Sequence, residues 1–250
     1  MKNLFILLLI ATPLFIFAQS EGEIRYDETI KMEIELPEGQ EHLRDMIPSE
    51  RTSQKVLYFT DSESVYRNFD PKTDNDDEVI EHQSEDGNVQ IKMVIAAPEN
   101  KTYRDLTTGD ITNQQEFFGK KFLIMGDNKK YDWKMTTEQK TIAGYNCMKA
   151  ELKDTSRTVT AWFSPQIPVS IGPGGFGQLP GMILEVNMND GQQVITASSV
   201  NLDKKVGDKI EKPTKGKQVT REEFEKISEE KMKEMEEEMG GSGMRIRIGN

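Results

Sequence analysis

Cysteine and histidine are scarce in this 250-residue chain, which has one cysteine, Cys147, and two histidines, His42 and His82. A single cysteine cannot form an internal disulfide, so the fold must be stabilised by packing. The three side chains do not supply the ligands of a usual zinc site, and we predict neither a metal centre nor a cofactor. Beyond residue 18 no stretch approaches the roughly 18 apolar residues of a membrane-spanning helix, so we expect no transmembrane segment in the mature chain.

Positive charge is also in deficit. The 32 lysines and arginines are outnumbered by 43 aspartates and glutamates, which gives a net charge of −11. An acidic surface repels nucleic acid and anionic lipid, and the aromatic residues are not interleaved with basic clusters. The composition therefore excludes a nucleic-acid-binding role from the leading hypotheses.

The first eighteen residues have the organisation of a secretion signal. Lys2 provides the positive start, residues 4–17 the apolar segment, and Ala18 a small residue for cleavage. No cysteine lies near the cleavage site, which argues against lipid attachment. We predict a signal peptide over 1–18 and a mature protein in the periplasm or outer cell envelope.

Residues 23–36 alternate between apolar and polar side chains. Six apolar residues share one parity, interrupted only by Glu28, and the other parity is polar throughout; the six are Ile24, Tyr26, Ile30, Met32, Ile34 and Leu36. A period of two over fourteen residues predicts a long strand with one buried face. This alternation is typical of antiparallel sheets rather than of parallel sheets covered on both sides.

Further strand patterns recur along the chain with no long helix between them. The predicted strands lie at 56–60, 64–69, 89–97, 101–106, 115–118, 121–125, 141–152, 158–163, 182–188 and 192–202. The last two flank Asp190-Gly191, a hairpin signal. We therefore predict a mainly β fold, a β-rich α+β protein with a strongly curved antiparallel sheet of half-barrel or sandwich-like form and a C-terminal helix, and assign 19–206 to this β domain.

Two acidic segments raise separate alternatives. Residues 70–86 are predicted to be a surface loop, whose acidic centre at 74–78 offers oxygen ligands for calcium; the favoured alternative is a solvated loop, because the spacing and glycine of an EF-hand are missing.

Residues 207–219 are predicted to be a linker. Thr220 and Glu223 then form a capping box that opens a helix over 220–239, within an acidic C-terminal region at 220–250 whose last residues, 244–248, can pair as a short edge strand. Met232, Met235 and Met239 on this helix favour an adaptable packing face over a Cu(I) site.

Residues 172–181 are rich in glycine and proline and lead into the strand at 182–188. Five glycines leave the backbone free for positive φ, and Pro173 and Pro180 each fix φ and remove an N–H donor. The glycines are Gly172, Gly174, Gly175, Gly177 and Gly181. We predict a structured loop that caps the sheet; an alternative is an anion-binding nest of backbone amides, which the two prolines and the lack of a following helix disfavour.

The loop resembles the signature of the GLPGLI family, since residues 178–183 read Gln-Leu-Pro-Gly-Met-Ile. More of the family pattern stands in order around it: residues 142–150, Ala161-Trp162-Phe163, Ile167-Pro168 and Gly172-Pro173. Two residues depart from the signature. Gln178 replaces the first glycine, which predicts that this position does not need positive φ, and Met182 replaces leucine at similar volume. The resemblance implies a secreted bacterial β-rich protein whose biochemical role is not established, so no catalytic residue is carried over.

No arrangement for catalysis stands out. The chain has no Gly-x-Ser-x-Gly motif, and the two histidines lie in polar, loop-like stretches. Cys147 has no visible source of a lowered pKa, which favours a buried, inert thiol. The candidate ligand-binding residues are therefore those of the loop, with Trp162, for which core packing is favoured over sugar stacking: Gly172, Pro173, Phe176, Leu179, Pro180, Gly181 and Trp162.

The leading functional hypothesis is a non-enzymatic binding protein of the cell envelope. It would hold an apolar ligand, or an envelope protein, on the apolar face of the curved sheet, with the loop at its mouth. One alternative is an interaction protein that docks an envelope partner through its acidic C-terminal helix. Another is an uncharacterised hydrolase.

Overall fold

The computed structural model describes most of the chain. The described residues are 21–35, 48–69, 77–83, 90–96, 99–126, 129–152, 158–238 and 245–248. The predicted signal peptide, His42, Met239 and Asp74 to Asp76 of the proposed calcium segment lie outside them.

Fifteen strands and one helix are present in the described part of the chain. They are β1 (Gly22–Glu35), β2 (Glu50–Phe59), β3 (Glu63–Asn68), β4 (Asp77–Gln83), β5 (Gln90–Ala96), β6 (Lys101–Asp105), β7 (Ile111–Phe117), β8 (Lys120–Met125), β9 (Trp133–Ile142), β10 (Tyr145–Leu152), β11 (Val159–Ser164), β12 (Met182–Met188), β13 (Gln193–Asn201), β14 (Lys217–Val219), α1 (Arg221–Glu238) and β15 (Arg245–Ile248).

Thirteen of these strands form one sheet, in which all pairs are antiparallel except β14 with β8. The order is β14-β8-β7-β6-β3-β2-β1-β13-β12-β11-β10-β9, with β15 added to the far end of β1 and β4-β5 forming a separate hairpin. The predicted mainly β fold, with a curved antiparallel sheet and a C-terminal helix, is confirmed. The long strand predicted at 23–36 lies in the middle of the sheet as β1, between β2 and β13.

One face of β1 carries the core. Ile24 and Tyr26 are fully buried, and the Tyr26 hydroxyl donates a hydrogen bond of 2.8 Å to the carbonyl of Ile183. We call this side of the sheet the inner face. Residues 165–181, which connect β11 to β12, lie against it, and the side chains of Ile167 and Ile171 are buried with those of β1. The amino-terminal part of the apolar parity predicted for β1, at Ile24 and Tyr26, is thus covered by the protein's own chain.

The helix α1 also lies on the inner face. Because paired residues of neighbouring strands share a face, the register from β1 to β8 places Phe122 on the same side as Ile24. Phe224 of α1 packs against Phe122, with 5.3 Å between ring centroids. The predicted capping box is confirmed: the Glu223 N–H donates to Thr220 Oγ1 at 3.1 Å, and the Thr220 N–H donates to Glu223 Oε2 at 2.8 Å. Within the described residues, no helix combines the length and hydropathy needed to span a bilayer.

Some of the predicted segments differ from the structure. The single strand predicted at 141–152 is part of a hairpin, in which Ala143 (φ 47°) and Gly144 (φ 86°) turn between β9 and β10. Positive φ at both central residues matches the twist of a hairpin, but alanine there is not a recognisable turn signal. The turn between β12 and β13 has four residues, not the two expected from Asp190-Gly191, because Met188 pairs with Gln193.

Two segments predicted to lack regular structure contain strands. Part of the surface loop predicted at 70–86 forms β4, which includes His82, so this histidine is not in a loop. Part of the linker predicted at 207–219 forms β14, which adds a parallel strand to the edge of the main sheet beside β8. Val219 of β14 is buried against Phe224, which joins α1 to the sheet.

Candidate functional site

Residues 172–181 form a compact loop, here called the signature loop, on the inner face. A 3-10 turn at Pro173–Gly175 is followed by a bridge between Ile171 and Gly177. The backbone N–H of Ile183 donates to the carbonyl of Ile171 at 2.9 Å, so the loop leads directly into β12. The structured loop that the sequence predicts is present.

The glycines of the signature loop serve two different purposes. Gly174, Gly175 and Gly181 have positive φ, as expected, but Gly172 and Gly177 do not. At Gly172 the reason is space, since a Cβ would lie 2.6 Å from the Cβ of Ile183. The prediction of positive φ is therefore wrong for two of the five, where close packing requires the missing side chain.

Gln178 has a φ of 68°, contrary to the prediction that this position does not need positive φ. Its side chain makes two hydrogen bonds to the backbone. Gln178 Nε2 donates to the carbonyl of Lys129 at 2.7 Å, and Gln178 Oε1 accepts from the backbone N–H of Tyr131 at 3.1 Å. These bonds offset the cost of the backbone conformation and hold residues 129–131 against the loop.

An aromatic group lies where the loop meets this segment. The ring of Tyr131 is 5.4 Å from that of Phe176 and 5.6 Å from that of Trp133, between centroids. The Trp133 Nε1–H donates to the carbonyl of Gly177 at 2.9 Å. All three rings are half-buried, so they fix the loop and still reach its surface.

Arg104 of β6 lies beneath the signature loop. Its guanidinium donates to the carbonyl of Gly175, and burial lowers the pKa of Arg104 below its ordinary value. Arg104 also lines a cleft of about 380 Å³ beside the loop, together with Leu106, Pro168 and Val169. It ties the loop to the sheet.

A second cleft, here called the polar cleft, lies between the signature loop, the sheet and the start of α1. It has a volume of about 280 Å³. Polar and charged side chains dominate its walls, which come from β1, β2, β3, β6, β7, α1 and the loops between them. The lining residues are Glu28, Lys55, Tyr66, Arg67, Asn68, Asn100, Thr102, Ile111, Asn113, Gln115, Lys129, Tyr131, Gly174, Gly175 and Arg221.

Glu28 is held in a network at one end of the polar cleft. Its Oε2 lies 3.2 Å from the ammonium of Lys55, and its Oε1 accepts a hydrogen bond of 2.6 Å from Gln193 Nε2. Lys55 in turn donates to Asn68 Oδ1. The carboxylate and the ammonium are largely buried and neutralise each other, so this end of the cleft is polar without a net charge.

Two buried hydrogen-bonding atoms of cleft-lining residues have no hydrogen-bond partner within the described part of the chain. They are the hydroxyl of Tyr66 and Oε1 of Gln115. Burial and, secondly, the charge of Glu28 raise the pKa of the Tyr66 hydroxyl well above its usual value, so it stays a hydrogen-bond donor. An unsatisfied buried polar atom costs about 1–3 kcal/mol, and a group that bonds to it recovers part of that cost.

The seven residues predicted from sequence are not brought together as one ligand site. Gly172, Pro173, Leu179 and Gly181 are buried and Pro180 is exposed; Phe176 belongs to the aromatic group. Trp162 is half-buried under the Lys140 ammonium, 4.4 Å from the ring centroid. Among the described residues that line the polar cleft, the signature loop contributes Gly174 and Gly175 instead.

The structure also shows where the candidate reactive thiol and the candidate copper ligands lie. Cys147 is fully buried, and burial raises the pKa of its thiol to about 11, which supports the expected inert cysteine. On α1, Met232 is exposed and Met235 is half-buried; the adaptable packing face favoured from the sequence stays a prediction, and a Cu(I) site stays its alternative. In the part of the chain that the structure describes, no group of three or more His, Cys, Asp or Glu side chains is placed to hold a metal ion.

Comparison with known proteins finds one matching family and several solved structures with a similar fold or part of one. A family model described as "N-glycanase peptide, N-terminal domain" matches residues 73–224. A solved structure of PNGF-II is similar to 83% of this chain, with a TM-score of 0.53 and 15% sequence identity. A second crystal form of PNGF-II gives a TM-score of 0.49 at 14% identity, and MucB in complex with MucA(peri) gives 0.25 at 9%. No curated protein matches the sequence.

The likeness to PNGF-II is a likeness of fold. The chain spans 33% of the PNGF-II chain that it matches in the first structure. The TM-scores of the second PNGF-II form and of the MucB complex are below 0.5. The GLPGLI resemblance of residues 178–183 stays a prediction.

Proposed function

Because the chain belongs to the family described as N-glycanase peptide, N-terminal domain, we propose that it is a non-enzymatic binding domain whose polar cleft holds part of a carbohydrate. The description of the family contains the word N-glycanase, which refers to proteins that act on glycans. The proposal retains a binding protein of the cell envelope, exported by the predicted signal peptide, and changes the ligand from apolar to polar.

The polarity of the cleft carries the proposal. Sugar hydroxyls both donate and accept hydrogen bonds, and they are bound by side chains that offer both functions or complement each other. The cleft supplies amide groups, which have two donors and an acceptor each, beside a carboxylate, an ammonium and a phenol. The amide side chains are those of Asn68, Asn100, Asn113 and Gln115.

Two buried atoms of the cleft indicate which hydrogen-bonding groups a ligand should carry. The Tyr66 hydroxyl needs an acceptor, and Gln115 Oε1 needs a donor. A sugar hydroxyl or acetamido group brings both a donor and an acceptor. Tyr131 at the edge of the cleft adds an aromatic ring, a surface against which the C–H groups of a sugar ring stack favourably.

The structure favours a polar ligand over an apolar one. In the described residues, Ile24 and Tyr26 on the inner face are covered by residues 165–181, so this part of the apolar face is filled. Glu28 is the single carboxylate among the residues that line the polar cleft, and it is paired with Lys55. Glycoside hydrolysis ordinarily uses two carboxylates, so saccharide binding fits the cleft better than hydrolysis of a glycosidic bond does.

The experiment is a binding assay on an array of defined neutral and acidic glycans, with the variant Tyr66→Phe. The Tyr66 hydroxyl has no hydrogen-bond partner among the described residues, so its removal should leave stability unchanged or increased while it weakens glycan binding. Tyr58→Phe is the matched control, because Tyr58 follows Leu57 on the opposite face of the sheet. A wild-type protein that binds no glycan, or a Tyr66→Phe variant that binds like the wild type, would refute the proposal.

A further inference from the structure

The cleft of about 380 Å³ beside the signature loop, here called the Arg104 cleft, has walls of a different kind from those of the polar cleft. They come from residues 168–171 before the signature loop, from the turn between β2 and β3, and from the residues that follow β6. Much of this lining is apolar: Leu106, Pro168, Val169 and Ile171. Small-molecule sites have volumes of roughly 300–1,000 Å³, so the Arg104 cleft fits one small ligand.

Arg104 is the cation of this cleft. It alternates along β6 with Thr102, which pairs with Tyr66 of the inner face, so Arg104 lies on that face too. A guanidinium has five N–H donors, and the hydrogen bond that Arg104 makes within the described residues, to the carbonyl of Gly175, uses one of them. Four donors are left for other partners.

The charge of Arg104 is not balanced in the described part of the chain. No carboxylate there forms an ion pair with Arg104, whereas the half-buried Lys55 lies 3.2 Å from Glu28 and the half-buried Lys149 lies 2.8 Å from Glu138. The bond to a neutral carbonyl satisfies one N–H but brings no negative charge. Burial lowers the pKa of Arg104, the sign of a cation that is held away from water without compensation.

From the unbalanced cation and the apolar walls together, we propose that the Arg104 cleft binds an organic acid in which a carboxylate is joined to a short apolar group. The two carboxylate oxygens match two N–H groups of the guanidinium, and the apolar group contacts Leu106, Val169 and Ile171. The Arg104 cleft and the polar cleft share no lining residue among those described. The inference therefore does not depend on the carbohydrate ligand proposed above.

The first test titrates the full-length protein with two acids, octanoate and N-acetyl-leucine, the second of which represents the carboxyl end of a peptide. Each acid is compared with its amide, which keeps the apolar group without the charge, and with acetate, which keeps the charge without the apolar group. At least one acid should bind about tenfold or more tightly than its amide and than acetate. The acid that does so distinguishes a free acid from a peptide terminus as the source of the carboxylate.

Two substitutions in the cleft should weaken binding of that acid by about tenfold or more. Arg104→Gln removes the charge but keeps an N–H group that can donate to the carbonyl of Gly175, so the signature loop keeps its tie to the sheet. Ser170→Asp adds a repelling carboxylate at an exposed position of the lining, and Ser170→Asn, of similar size without the charge, should weaken binding by less than about threefold. Circular dichroism and thermal unfolding establish that each variant is folded, and the Ser170 pair decides if Arg104→Gln is not.

A third substitution should act in the opposite direction. Asp61 is exposed and lines the Arg104 cleft, so Asp61→Asn should strengthen binding of the acid by about twofold or more at low salt. Asp208→Asn is the matched control, because it removes the same charge at an exposed position. Asp208 lies near Val206, which packs against the outer face of β2 and β3, so the control should change binding by less than about 1.5-fold.

The outcomes separate this inference from the proposed function. Amides that bind as tightly as the acids, or a folded Arg104→Gln variant that binds like the wild type, would overturn the assignment to Arg104. Equal gains from Asp61→Asn and Asp208→Asn would overturn the location. Tyr66→Phe should leave acid binding unchanged, and a loss there would place the acid in the polar cleft instead. Failure of both acids to bind would refute the inference and leave the carbohydrate proposal standing, whereas failure of every glycan would do the reverse.

Discussion

The substitution Gly181→Ala tests how far the signature loop determines the fold. Gly181 has a φ of 148°, and a Cβ at this position would lie 2.2 Å from the carbonyl oxygen of Ser164 and 2.9 Å from the Cα of Pro165. Both contacts are with backbone, which cannot rotate away as a flexible side chain does. The loop, the end of β11 or both must move.

The expected cost follows from two effects. A non-glycine residue in a disfavoured backbone region costs about 1–3 kcal/mol, and an added group in a packed interior costs about 1–3 kcal/mol. We expect Gly181→Ala to lower the free energy of unfolding by about 2–6 kcal/mol, a large part of the roughly 5–15 kcal/mol of a typical domain.

Chemical denaturation followed by tryptophan fluorescence and circular dichroism measures this loss. Gly207→Ala is the control, because a Cβ there meets nothing within 4 Å and its φ is not positive. If Gly181→Ala is destabilised by no more than about 0.5 kcal/mol relative to Gly207→Ala, the usual range of a surface substitution, the reasoning about the loop is refuted.

Three other predictions concern single side chains. The Cys147 thiol should react with a maleimide only after unfolding, because it is buried and its pKa is raised to about 11; rapid labelling of the folded protein near neutral pH would contradict this. Hydrogen bonds from Lys101 and Lys121 lower the pKa of Glu99 from 4.5 to about 2, so its contribution to stability is complete above 4.5 and is lost as the pH falls toward 2. Because 43% of the Glu99 side chain is accessible to solvent, this contribution is about 0.2–1 kcal/mol, and Glu99→Gln should flatten that part of the curve of unfolding free energy against pH; an unchanged curve would count against it. Thr220→Ala should cost about 1 kcal/mol and reduce helical circular dichroism, whereas Thr220→Ser should keep the cap; equal behaviour of the two variants would show that the cap does not matter.

The sheet was predictable from sequence where local pattern and tertiary burial agree. The alternation around Ile24 and Tyr26 predicts β1 because apolar side chains recur at every second position and are buried on the inner face, and the capping residues Thr220 and Glu223 predict the start of α1. The Ala143-Gly144 turn was missed because alanine rarely adopts positive φ. β14 was missed because its three residues form a strand only through β8.

The candidate site was less predictable, because its residues come from separate strands that only the sheet register brings together. Tyr66 of β3 pairs with Thr102 of β6, which pairs with Asn113 of β7, and no spacing in the sequence reveals this row. One signal was present. Glu28 interrupts the apolar parity of β1, and a charged residue in that position is buried only if it has partners or a function.

The central position of β1 has a consequence for biosynthesis. Glu23 pairs with Asn201 of β13, so the second neighbour of the first strand is made only when most of the chain has been translated. Until then β1 presents an open hydrogen-bonding edge that invites pairing with other chains. Productive folding therefore depends on keeping the nascent amino-terminal half away from foreign strands, and long-range closure of this kind is slow.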